Sequence, residues 1–88
     1  MKFARDSLTM TDRDLLVLKT NVDKVVRIFS CDGETMLAKV HSVSDEDEDV
    51  IYDLILTNKE SQYEKHDEQP AYLIRFQDIK RVEPYEEQ

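Results

Sequence analysis

Val25-Val26-Arg27-Ile28-Phe29-Ser30-Cys31-Asp32-Gly33-Glu34-Thr35-Met36-Leu37-Ala38-Lys39-Val40-His41-Ser42-Val43 is the stretch that decides the fold. Two runs of alternating apolar residues flank Asp32-Gly33, and Gly33 is the only glycine in the chain. An Asp-Gly pair in this setting signals a β-hairpin, because glycine reaches positive φ at no steric cost. The first strand is therefore expected at 24–30 and the second at 35–43.

Working outward, Thr11-Asp12-Arg13-Asp14 reads as a helix start. Thr11 is the expected N-cap, Asp14 stands three residues on, and Asp12 favours the positive end of the helix dipole. Leu15, Leu16 and Leu18 follow, so about two turns should end near Thr20-Asn21 and lie on something apolar. Beyond the hairpin, Asp45-Glu46-Asp47-Glu48-Asp49 reads as a loop, since five adjacent like charges repel. Val50–Leu56 is the third and most hydrophobic strand, with Val50, Tyr52, Leu54 and Leu56 on one face and Ile51 and Ile55 on the other. Residues 57–70 are polar and read as a long loop. Ala71–Phe76 is the fourth strand, Gln77-Asp78 a tight 3₁₀ corner, and Ile79–Glu83 a short fifth strand stopped by Pro84. The chain is expected to form a single domain over 1–88, with an irregular N-terminus at 1–10, helix plus barrel at 11–84 and an acidic tail at 85–88.

A chain of 88 residues is at the small end of what buries a self-sufficient core, so oligomerisation is an expected source of stability. One cysteine, Cys31, rules out an internal disulfide and suits a reducing compartment. Met1-Lys2-Phe3-Ala4-Arg5-Asp6 is charged too early for the apolar run of a signal peptide. No stretch approaches the roughly 20 apolar residues of a membrane span. A cytoplasmic protein without a membrane partner is expected. Twelve basic and twenty acidic residues give a net charge of −8. The run 45–49 and the Glu86-Glu87 tail carry seven of these charges, leaving the rest near −1. Non-specific nucleic-acid affinity needs clustered Lys and Arg. Only a local patch drawn from Lys24, Arg27, Lys39, Arg75, Lys80 and Arg81 offers that.

A short N-terminal helix, five strands, an Asp-Gly turn after strand one and a tight corner between strands four and five resemble the Sm-like (LSm) family over about residues 11–84. The resemblance implies a mainly β fold, a short helix on a five-stranded, strongly bent antiparallel barrel. It also implies rings of subunits holding single-stranded, often uridine-rich, RNA at a pore. The family's first motif carries an Asp-Gly turn, matched by Asp32-Gly33, and a glycine in strand two, replaced by Ala38. It closes with an Asp and, four residues later, an Asn. With the acidic run taken as an insertion, the Asn position falls on Asp53, with Asp49 four residues before it. The second motif, apolar-Arg-Gly, is matched by Ile74-Arg75, with Phe76 in place of glycine and Ile79 and Val82 in the last strand. The framework is kept while the RNA-contacting Asn and Gly are replaced. Expected RNA contacts are Asp53, Arg75, Lys80 and Arg81. Phe76 is a base-stacking candidate, although the strand pattern favours it as core.

Other chemistry is sparse. Asp45, Asp47, Asp49 and Asp53 match four positions of a calcium loop, but Val50 and Leu56 stand where its glycine and bidentate Glu are required. Cys31, His41 and His66 are too scattered for a metal site, and Cys31 with His41 lacks an orienting third residue. A single glycine excludes phosphate-binding and nucleophile-elbow motifs. No cofactor and no enzymatic activity are expected. Tyr52 and Tyr72 should pack in strands, leaving Tyr63 and Tyr85 for partner contact. Two functions follow: a homo-oligomeric Sm-like binding or scaffold protein, or a monomeric module recruiting a protein partner through Asp45, Asp47, Asp49, Tyr63 and a free strand edge.

Overall fold

The computed structural model describes residues 10–62 and 71–85. Helix α1 spans Asp12–Thr20, and its first turn is set by a reciprocal capping box. The Asp14 N–H donates to Thr11 Oγ1 at 3.2 Å, while Asp14 Oδ2 accepts from the Thr11 N–H at 2.9 Å. Asn21 closes the other end, its side-chain amide donating to the Val17 carbonyl at 2.7 Å. The expected start and end of the helix are both found. Met10, in the segment expected to be an irregular terminus, is buried and belongs to the core cluster. The remainder of 1–9 lies outside the described residues.

Five antiparallel strands follow: β1 (Val25–Ser30), β2 (Thr35–Ser44), β3 (Asp49–Thr57), β4 (Ala71–Arg75) and β5 (Ile79–Pro84), in the sheet order β4-β3-β2-β1-β5. A 3₁₀ turn at Phe76–Asp78 is the expected corner, one residue earlier than read from sequence. A second 3₁₀ turn, Glu60–Gln62, follows β3. The β1–β2 connection is a three-residue loop rather than a two-residue turn. The Gly33 N–H donates to the Ser30 carbonyl at 3.1 Å and the Ser30 N–H to the Glu34 carbonyl at 2.8 Å, with Gly33 at φ +93°. This is the glycine-dependent arrangement that the Asp-Gly pair foretold.

One face of every strand turns inward. Val26 and Ile28, Met36, Ala38 and Val40, Val50, Tyr52 and Leu54, Ile74, and Ile79 and Val82 form one core with Leu15 and Leu18 of α1. Helix α1 packs on β5 and β2, so the two-turn helix gains the apolar support it lacks alone. Its attachment has a polar part: Asp14, 6% exposed, accepts the Val82 N–H on Oδ1 at 3.1 Å. Phe76 is 1% exposed. It belongs to the core cluster, so its ring is packed inside rather than presented for base stacking.

Leu56 departs from the sequence reading. Leu37 pairs with Leu56 and Ala38 with Leu54, so Ile55 is an extra residue in β3. This bulge reverses the alternation beyond it, and Leu56 lies 62% exposed on the outer face instead of joining Leu54 inside.

Candidate functional site

Three connections meet around the 3₁₀ corner. On one side the Phe76 N–H donates to the Glu48 carbonyl of the acidic turn at 2.8 Å. On the other, the Asp78 carbonyl accepts from the Cys31 N–H at 2.8 Å and from Ser30 Oγ at 3.2 Å. The corner is thus held by backbone bonds to both the hairpin loop and the β2–β3 turn. Such bonds depend little on side-chain identity, so this sequence keeps the corner after losing its expected glycine.

Arg75 stands exposed immediately before the corner, opposite Asp49 in the β3–β4 ladder. Asp53 lies elsewhere, mid-strand, between Lys39 of β2 and Ala71 of β4. Its Oδ2 is 2.8 Å from His41 Nε2. The reason is the turn. Ser44 pairs with Asp49, leaving Asp45–Glu48 as a four-residue connection closed by Glu48 at φ +56°. Much of the acidic run is the turn itself and not an insertion, so Asp49 opens β3, four residues after Asp45. Asp49, read above as part of the acidic loop, is the first residue of β3.

The basic candidates do not converge. Arg81 pairs with Glu83 at 2.9 Å and lies over the Phe29 ring at 4.4 Å on the outer face. Lys80 is exposed on β5. Around Arg75, the nearby turn and corner supply Glu48, Asp49 and Asp78. A single arginine at an end of the sheet where the adjoining turn and corner carry acidic residues opposes a polyanion more than it attracts one.

The acidic turn is tied to the helix by an ion pair between Lys19 and Asp45. The Asp47 N–H is capped by Ser44 Oγ at 3.0 Å. Among the described residues no group of three or more His, Cys, Asp or Glu side chains could hold a metal ion. Two members of the calcium-like register, Asp49 and Asp53, are fixed in β3. Cys31 is exposed beside the Gln77 carbonyl and His41 bonds to Asp53, so the two sit with different partners. Tyr63 lies outside the described residues. Tyr52 is buried and Tyr72 half-buried, with ring centroids 6.0 Å apart, as expected of strand tyrosines.

Two features escaped the sequence reading. Glu34 is only 7% exposed and accepts from Thr57 Oγ1 at 2.5 Å, joining the hairpin loop to the end of β3. It borders a cavity of about 540 Å³ lined also by Ser30, Cys31, Tyr52, Ile74 and Asp78. Asp32 accepts the Glu34 N–H at 3.0 Å. That backbone bond, with smaller help from Ser30 and Lys59, holds its carboxyl below the usual Asp value.

Comparison with solved structures finds the crystal structure of the SmAP (LSm) protein from Methanococcus vannielii. The TM-score is 0.60 at 18% identity, covering 83% of this chain and 96% of that one. At this identity the likeness establishes the fold, a helix followed by a five-stranded antiparallel sheet of the Sm-like type. No protein-family model matches the sequence, and no curated protein matches it.

Proposed function

We propose that this chain, built on the Sm-like fold, is a non-enzymatic subunit that assembles with copies of itself and serves as an oligomeric binding scaffold. The observation that carries this reading is the sheet order. β4 and β5 are the two ends of one five-stranded sheet, each with a partner on one side only, and an unpaired edge is a template for another strand. Joining the β4 edge of one copy to the β5 edge of the next repeats one heterologous contact and closes into a ring when the rotation permits. The exposed apolar residues Ile51 and Leu73, cross-strand partners on β3 and β4, lie beside the β4 edge and support burial there.

The β5 edge is narrowed. The Val82 N–H is spent on Asp14, and Pro84 has none. An incoming strand therefore pairs with the first half of β5, around Ile79–Arg81. Mass measurement in solution tests the assembly. A mass several times the subunit's at micromolar concentration supports it, and a monomer at high micromolar concentration defeats it.

Contact with single-stranded RNA is the finer part of the proposal and falls on Arg75, with Asp49 opposite it. The carboxylates around this corner make the contact weak and salt-sensitive. In fluorescence anisotropy with a uridine-rich oligonucleotide at low salt, Asp49→Asn should tighten binding and Arg75→Ala should abolish it. Indifference to both substitutions removes RNA from the proposal. A protein partner at the acidic turn is the second reading, favoured by Glu46 and Asp47, which are exposed. Neutralising 45–49 should then release a stoichiometric partner.

A further inference from the structure

The cavity at the β4 end of the sheet has a chemistry that the fold alone does not use. It measures about 540 Å³ and lies against Leu73 of the edge strand, with Asp32 and Glu34 of the hairpin loop and Asp78 of the corner around it. Three carboxylates line it and no basic side chain does. Asp32 is engaged by Lys59 at 3.6 Å, and Glu34, 7% exposed, accepts from Thr57. Asp78 is exposed and forms no ion pair among the described residues. Met36, Tyr52 and Leu73 supply apolar walls. Apolar walls beside carboxylates suit a cation carried on a hydrocarbon stem.

The chain supplies such a group at the other end of the sheet. Phe29 pairs with Arg81 and Ser30 with Ile79, so Lys80 is an extra residue of β5 at a bulge and has no cross-strand partner on β1. Bulges re-aim side chains. Lys80 is exposed and, unlike Arg81 with its Glu83, forms no ion pair among the described residues. It is also the middle of Ile79–Arg81, the stretch of the β5 edge left open by the Val82–Asp14 bond and Pro84. β4 is five residues long. Any pairing that overlaps the open stretch in full with β4 puts Lys80 of one copy opposite Tyr72, Leu73 or Ile74 of the next, beside the cavity. We propose that the cavity receives Lys80 of a neighbouring copy, its methylene stem along Tyr52 and Leu73 and its ammonium against Asp78, with Glu34 behind. This rests on the edge-to-edge assembly and deepens it, since the site is complete only when a second copy contributes the lysine. Enclosed by the docked strand, the pair is screened little by salt.

The test uses the full chain. Sedimentation equilibrium gives the dissociation constant of the wild-type assembly, of Lys80→Met, which keeps the stem and drops the charge, and of Asp78→Asn. Circular dichroism checks the fold of each. Each substitution should raise the dissociation constant about tenfold, and the paired reversal, Lys80→Asp with Asp78→Lys, should recover most of the loss. Acetylation by a limiting amine-reactive ester, read by mass spectrometry, should spare Lys80 in the assembly and modify it on dilution to the monomer, while the exposed Lys24 reacts in both. A wild-type chain that assembles with the same dissociation constant as both single variants overturns the proposal and leaves the assembly standing. Lys80 acetylated equally fast in both states does the same. A wild-type chain that stays monomeric at high micromolar concentration overturns both, and leaves the cavity to a cationic group from another protein.

Discussion

Asp14 joins three parts of this protein at one buried carboxylate, and its removal has a calculable effect. Oδ2 accepts the Thr11 N–H at 2.9 Å and the Thr11 hydroxyl at 3.0 Å, while Oδ1 accepts the Val82 N–H at 3.1 Å. Asp14→Ala removes the reciprocal half of the capping box, a loss of about 1 kcal/mol. It also strands the Val82 N–H in a buried position, which costs about 1–3 kcal/mol. The total, about 2–4 kcal/mol, is a large share of a small domain's stability. Thr11→Ala provides the internal control, since it removes the cap at about 1 kcal/mol and leaves the Val82 bond in place. Urea unfolding followed by circular dichroism, at matched protein concentrations, measures both variants. Asp14→Ala should exceed Thr11→Ala by at least about 1 kcal/mol. Equal losses would show that Asp14 acts only as a helix cap, and that α1 is not hydrogen-bonded to the sheet in solution.

Three further outcomes follow from single positions. Phe76→Ala removes a fully buried core ring and should cost about 3–5 kcal/mol, read by urea unfolding; a loss under about 1 kcal/mol would place the ring outside the core. Gly33→Ala meets no neighbour within 4 Å, yet must hold φ +93°, so it should destabilise by about 1 kcal/mol through backbone strain alone; an unchanged unfolding midpoint would contradict the loop geometry. Because the Asp32 carboxyl is held below 3.8 in the folded protein, its contribution is fully present above that pH and is lost as the pH falls through the lower folded value. The Glu34 amide shift should accordingly titrate with a midpoint below 3.8, and a midpoint at or above it would refute the Asp32–Glu34 bond.

The framework was legible because local signals and burial agree in this chain. Thr11 and Asp14 specify a capping box by type and spacing, and Asp32-Gly33 specifies a loop that needs positive φ. Val50, Tyr52 and Leu54 alternate as a strand with one buried face should. Leu56 was read wrongly because a bulge depends on the cross-strand register, and alternation within one strand contains no record of that register. The site was less legible for a related reason. Five consecutive acids read as a loop by mutual repulsion, whereas the fifth, Asp49, is held in β3 by pairing with Ser44 and Arg75. Asp14 was legible as a cap, but its bond to Val82 spans 68 residues and follows only from how the helix lies on β5. Glu34 reads as a solvated turn residue, and only the return of β3 past the hairpin loop buries it against Thr57.

The central claim is that the two sheet edges complete one another between copies. Light scattering behind size exclusion, at low and high salt, tests it most directly. The account predicts a single species several times the 10.4 kDa subunit, unchanged by salt because backbone pairing and apolar contact hold it. A 10.4 kDa species at high micromolar concentration would contradict the account and leave the Sm-like fold as shared architecture without shared assembly.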